Sequence, residues 1–224
     1  MKPDLLPWGP LPSIQKAPLY TQTLPALYES IECPDEQTAV QLIRLKRRPI
    51  IHSQENNDFA YRTWHIHPQL EKLGRSDTGC ALDLGCGNGR DSVWLACNGW
   101  SVTAVDHLPE IQRSIDEFSS RFQVTNRIHF VHSNIHEFTT NNRFQLVLLH
   151  YTWKDSNLQS ALEHVEVGGS ISVLVHSETH YRCFGSPQFT QPPQPPENFR
   201  VFSDQESWLM DRHVRGFVWQ RIQE

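Results

Sequence analysis

Residues 82–91 read LDLGCGNGRD, and their reading decides the fold. An apolar run ends on Asp83 and Leu84 and gives way to glycines at alternate positions, Gly85, Gly87 and Gly89. Glycine tolerates positive φ and lets a ligand approach the backbone with no Cβ in the way. Residues 80–84 (CALDL) are predicted to be a buried strand and residues 90–98 (RDSVWLACN) a helix, with Gly99 at the C′ position that favours glycine. The glycines then occupy a strand-to-helix turn.

The alternation continues outward. Strands are predicted at 101–105 (SVTAV), 128–132 (IHFVH), 144–149 (FQLVLL) and 170–175 (SISVLV), with helices from about Pro109 to Phe122 and over roughly 156–166. Near-continuous apolar strands alternating with helices predict an α/β fold, a doubly wound, mostly parallel sheet covered on both faces with right-handed crossovers. In such a sheet, ligands bind beyond the carboxyl ends of the strands. Asp106 ends the second strand, 21 residues after Gly85, where a carboxylate can accept both hydroxyl hydrogens of a ribose. A nucleoside site follows. A dinucleotide fingerprint would need glycine at the sixth position of the turn, which is Arg90, and a phosphate loop would need a Lys-Ser/Thr pair that is absent. The expected nucleoside carries no pyrophosphate.

Composition sets the frame. A length of 224 residues fits one domain, 38% apolar residues supply a core, and a formal charge of −5 gives no basic footprint for nucleic acid. Five scattered cysteines fit reduced thiols and a cytoplasmic setting, and no stretch is apolar enough to cross a membrane. Residues 1–34 carry seven prolines and form a proline-rich segment; 35–78 form an N-terminal helical cover, with a helix over Asp35–Arg48; 79–224 form the core. A second proline-rich stretch, 187–196 (PQFTQPPQPP), reads as a surface loop. Twelve histidines raise the question of a metal, but His129, His132 and His136, or His176, His180 and Cys183, complete no known ligand geometry, so none is expected.

Residues 81–110 (ALDLGCGNGRDSVWLACNGWSVTAVDHLPE) resemble the cofactor half of the class I S-adenosylmethionine-dependent methyltransferases, a Rossmann-like fold. Within that class they are most similar to a branch holding tellurite-resistance-type enzymes and bacterial methyltransferases often fused to a rhodanese domain. YRTWHIHPQLEKL (61–73), LLHYTWKD (148–155) and ETHYRCFGSPQ (178–188) extend the similarity, which covers about residues 60–200. The resemblance implies S-adenosyl-L-methionine as cofactor. The backbone of Gly85, Cys86 and Gly87 would pack against its methionine part, and Asp83 would help hold its amino group. Asp106 would bind the ribose hydroxyls with His107 beside the adenine, whose edge Asn134 and Ile135 would hold. His150 would face the sulfonium and the acceptor as the first candidate for a base, with Tyr151 second, as a positioning hydroxyl or wall. Many relatives have Asp where Asn134 stands; the amide carbonyl can still meet the adenine amino group.

Other readings stay open. Asp106 could cap the next helix, Asp83 could serve only to hold the loop, and His150 could be a packed strand-end residue. Tyr61, Arg62 and Trp64 could cover the cofactor or simply pack. The family sheet has seven strands, the last two an antiparallel hairpin. Here Arg215-Gly216 could be its turn, between strands Trp208–Val214 and Phe217–Ile222, or a single strand could remain and the sheet be trimmed. The acceptor is expected to be a small molecule such as a thiol, metalloid oxyanion or carboxylate. A protein or RNA methyltransferase and a non-catalytic cofactor-binding regulator are the alternatives.

Overall fold

The computed structural model describes residues 66–76, 78–87, 89–109, 111–178, 194–209 and 212–223. The helix expected over 35–48, residues Tyr61, Arg62 and Trp64, and most of 187–196 lie outside the described residues. Within them the chain runs α1 (Pro68–Ser76), β1 (Cys80–Leu84), α2 (Arg90–Cys97), β2 (Ser101–Asp106), α3 (Ile111–Arg121) and β3 (Ile128–His132). It continues through β4 (Phe144–His150), α4 (Asp155–Glu163), β5 (Val165–His176), β6 (Phe199–Leu209) and β7 (Arg212–Arg221). The strands form one seven-stranded sheet in the order β3-β2-β1-β4-β5-β7-β6. β1 to β5 pair in parallel, while β7 runs antiparallel to both β5 and β6. The order reverses between β1, which pairs with β2 on one side, and β4 on the other, which makes the ends of these strands the switch point where ligands gather.

Side-chain alternation along each strand divides the core in two. On one face Ala81, Val102, Leu146 and Leu148 pack with Leu70, Val93, Trp94, Leu95 and Phe118 from α1, α2 and α3. On the other, Leu82, Leu84, Val147, Leu149, Ile171 and Val173 pack with Leu158, Ala161 and Leu162 of α4. Phe118, 1% exposed, contributes about 2–3 kcal/mol by leaving water. The first face changes character along the strands. Beyond Ala81 and Leu146 toward the carboxyl ends it carries Asp83 and Ser172, level with Leu148, and then His150, all buried. A polar layer therefore lies between the sheet and the helices just below the strand tips.

The seven-stranded sheet with its terminal antiparallel hairpin is present, which rules out the trimmed alternative, but Arg215-Gly216 is not the hairpin's turn. Both residues sit inside β7, where Gly216 pairs with Leu174 and Gln205, and the β6–β7 connection falls between Leu209 and Arg212. The glycine answers a packing need: a Cβ on Gly216 would stand 2.8 Å from Gln69 Oε1 and 3.1 Å from His67 Cε1. β6 begins at Phe199 and is exposed along most of its length, an edge strand held by its ladder to β7 rather than by burial. Helix α4 ends at Glu163, not near 166. The chain enters β5 at Val165, where a register shift against β4 absorbs the Gly168-Gly169 pair.

Candidate active site

The turn after β1 is bound to the neighbouring strand before any ligand is considered. The N–H groups of Gly85 and Cys86 both donate to Val105 O, at 2.8 and 3.0 Å. Gly85, Gly87 and Gly89 adopt φ of +74°, +54° and +79°. At Gly85 the need is double, because an added Cβ would also collide with the Thr152 side chain, which leans over the turn and donates to Leu84 O.

Asp106 closes β2 with its carboxylate fixed from two directions. Gly87 N–H donates to Oδ2 at 2.9 Å and Leu108 N–H to Oδ1 at 3.1 Å, with His107 Nδ1 3.2 Å from Oδ1. A carboxylate offers about four lone-pair sites. With one backbone N–H on each oxygen, one acceptor direction per oxygen is left, the number that a ribose 2′,3′-diol demands. The residues present thus fit the nucleoside half of the cofactor. Cys86 is buried against Ala104, Ile111 and Ile115, beneath the turn. The His107 side chain is exposed beside Asp106. After β3, Asn134 donates its amide nitrogen to Glu137 Oε2 at 2.8 Å, which orients the amide carbonyl as the remaining acceptor, and Ile135 packs onto the core of the second face.

Beneath the tips lies a network that sequence reasoning did not find. Arg90 grips the Asp91 carboxylate through Nε and Nη2 at 2.6 and 2.9 Å. Asp91 Oδ2 meets His150 Nδ1 at 2.6 Å, and His150 Nε2 meets Ser172 Oγ at 3.0 Å. Ser172 accepts from Gln69 Nε2 at 3.0 Å, and the same nitrogen lies 3.2 Å from Phe217 O. Burial opposes ionisation of Asp91, but Arg90 and His150 outweigh it and hold the carboxyl below the usual carboxylate range. An ionised carboxylate only accepts, so Nδ1 of His150 donates. Nε2, on the far side of the ring, meets the Ser172 hydroxyl. Both ring nitrogens of His150 are thus engaged within the protein, in a chain that runs Gln69, Ser172, His150, Asp91.

The order Asp91, His150, Ser172 has the connectivity of a hydrolase triad without its exposure. Ser172 is 0% exposed and stands within β5, so it is not a nucleophile. The bonded pairs Asp91–His150, His150–Ser172 and Gln69–Ser172 lie 59, 22 and 103 residues apart in sequence, and the local signal is a charged pair, Arg90-Asp91, on a helix whose first seven residues are all buried. Asp83 is 2% exposed and accepts from Ser92 Oγ at 2.6 Å. Burial, then the charge of Asp91, push its carboxyl up to about 7. Tyr151 leaves β4 with φ +60°, an unusual value for a residue with a side chain, while its N–H donates to Leu174 O. Its ring lies 5.4 Å from that of His176. Among the described residues no group of three His, Cys, Asp or Glu side chains could hold a metal, and no helix is long and apolar enough to cross a membrane.

Comparison with known proteins bears on this geometry. The family model described as tellurite resistance protein TehB matches residues 51–170, more than half of the chain. No match is found among curated proteins. Of solved structures, the N-methyltransferase NodS from Bradyrhizobium japonicum WM9, in complex with S-adenosyl-L-homocysteine, is similar at a TM-score of 0.55 and 16% identity, over 88% of this chain and 99% of that one. TehB from Haemophilus influenzae is similar at 0.55 and 16%, over 72% and 64%. An rRNA methylase from Streptococcus thermophilus is similar at 0.53 and 15%, over 70% and 96%. Such likeness fixes the fold and leaves the acceptor open, since these neighbours' descriptions differ in it. The family match, joined to the glycine turn, the fixed Asp106 and the complete 3-2-1-4-5-7-6 sheet, leads to one conclusion: the chain belongs to the TehB family and is a class I S-adenosylmethionine-dependent methyltransferase.

Proposed function

We propose that the chain transfers a methyl group to a small acceptor that arrives as an anion, a thiolate, a metalloid oxyanion or a carboxylate. The carrying observation is the commitment of His150. Its Nδ1 faces Asp91 and its Nε2 faces Ser172, so the strand-end imidazole is a positioning residue rather than a base presented to substrate. An acceptor that is already ionised needs no base. The family description, tellurite resistance, agrees with an oxyanion acceptor, and the net charge of −5 argues against tracking a phosphate backbone.

In this reading Asp106 holds the ribose, Gly85, Cys86 and Gly87 pass the methionine arm along bare backbone, and Asn134 and Ile135 edge the adenine. Bound there, S-adenosylmethionine supplies a methyl group already activated on a sulfonium. The protein's part is alignment of the acceptor, with rate gained from positioning rather than proton transfer. Tyr151, held at the tip of β4, forms a wall for the acceptor. Purified protein incubated with the methyl donor and a panel of thiols, selenite, tellurite and small carboxylic acids tests this directly. Methylated product from one anionic class, at a rate that follows the acceptor's ionised fraction, is expected. Transfer only to protein or RNA, or to neutral acceptors with a rate governed by an enzyme group, would overturn it.

A further inference from the structure

His67 is a buried donor that finds no acceptor among the described residues. It immediately precedes Pro68 of α1, and its carbonyl oxygen accepts the Glu71 N–H at 3.0 Å, so it caps the helix from the backbone. The ring is only 5% exposed. Its Nδ1 accepts the backbone N–H of Gln69 at 3.2 Å. A ring nitrogen that accepts carries no hydrogen. Burial, with the nearby charges of His150 and Arg90, lowers its pKa to about 4, so the ring is neutral at ordinary pH. The single hydrogen of that neutral ring therefore sits on Nε2, and Nε2 has no hydrogen-bond partner among the described residues. Buried N–H groups without acceptors are rare because each forfeits its hydration for nothing.

The ring's position gives that donor a use. Gln69, two residues on, ties the segment to Ser172 and to Phe217 O, and Gly216 clears the space into which His67 fits. The charged groups that act on the ring are His150, Asp91 and Arg90, at the polar layer under the strand tips. A neutral N–H placed there can bond an anion while adding no charge to the Arg90–Asp91–His150 cluster.

We propose that His67 donates its Nε2 hydrogen to an anionic oxygen of a ligand bound over the ends of β4 and β5, and so sets specificity at the site. The inference rests on the methyl-transfer reading above. The oxygen has two possible sources of the same chemistry, the carboxylate of the methyl donor's amino-acid end and an oxyanion of the acceptor.

Calorimetry on the full chain separates them. Three ligands are titrated: S-adenosylhomocysteine; 5′-methylthioadenosine, which lacks the amino-acid end; and selenite, added to protein saturated with S-adenosylhomocysteine. The variants are His67→Phe and His67→Ala, which remove the donor, and His67→Gln, which restores an N–H near Nε2. Melting of the ligand-free proteins checks folding, and His67→Ala serves if the larger phenyl ring is not accommodated. With the donor's carboxylate as partner, the donor-free variants bind S-adenosylhomocysteine about 10- to 100-fold more weakly, 5′-methylthioadenosine unchanged, and His67→Gln recovers most of the loss. With the acceptor as partner, both nucleosides bind as in wild type and selenite weakens by a similar factor. Unchanged binding of all three, or equal loss for both nucleosides, overturns the proposal. A wild-type chain that binds neither nucleoside would instead overturn the donor reading, and this inference with it.

Discussion

Replacing Asp106 by Ala removes the carboxylate proposed to clamp the ribose, and nothing else of comparable charge at the end of β2. The carboxylate holds Gly87 N–H at 2.9 Å and Leu108 N–H at 3.1 Å and keeps one acceptor direction on each oxygen. Two hydroxyl hydrogens meeting an ionised acceptor are worth about 1.5–3 kcal/mol each, so the loss is about 3–6 kcal/mol, a factor of about 10² to 10⁴ in Kd for S-adenosylhomocysteine. Part of that loss comes from freeing the Gly87 turn, and a cycle separates the two. Wild type and Asp106→Asn are each titrated with S-adenosylhomocysteine and with its 2′-deoxy and 3′-deoxy analogues. If the carboxylate touches the diol, removing a hydroxyl costs less in the variant than in wild type, with a coupling of about 1–2 kcal/mol. If the carboxylate only fixes the turn, the coupling vanishes while both affinities drop. A folded Asp106→Ala protein whose Kd lies within about threefold of wild type would refute the assignment outright.

The buried layer offers sharper tests of stability. Asp83 binds its proton more tightly folded, at about 7, than at its ordinary value of 3.8. The stability this contributes is complete below about pH 4 and is lost as pH rises through about 7. Asp83→Asn mimics the protonated acid, so its stability relative to wild type should grow across that window and level off above it, as urea melts at a series of pH values would read; a flat difference contradicts the raised pKa. Asp91→Ala strands a buried guanidinium and the imidazole facing it and should cost about 3–5 kcal/mol by the same melts, with Arg90→Met/Asp91→Leu recovering much of the loss. His150→Gln should lower the melting temperature and shift donor affinity, yet leave the shape of the pH–rate profile of methyl transfer unchanged; loss of a limb with a pKa near neutrality would restore His150 as the base.

The half of the fold built on apolar periodicity was readable in the chain. β1 through β4 and the helices between them satisfy a period with buried side chains, and the observed spans fall within a residue or two of those expected. β6 was not readable, because its order comes from hydrogen bonds to β7 and its side chains stay wet; FRVFSDQES carries no apolar alternation. Gly216 misled for a related reason: a glycine in a short polar stretch looks like a turn until the helix pressing on it is known. In the site, Gly85, Gly87 and Asp106 announce themselves because the turn and the end of β2 lie close in sequence. Asp91, Ser172, Gln69 and His67 meet only through the fold, and no spacing rule connects them.

The bond from Gln69 to Phe217 O spans 148 residues, joining the first described helix to the last strand of the sheet. Because β7 slots between β5 and β6, this seat does not exist until Phe217 has been made and β7 has paired with β5. A nascent chain halted after β5 would hold the glycine turn and Asp106 already formed, but α1 would lack the strand against which Gln69 and His67 are set. The bond of the glycine turn to Asp106 and the seating of α1 on β7 thus draw on segments far apart in the chain, and only the second waits for β7.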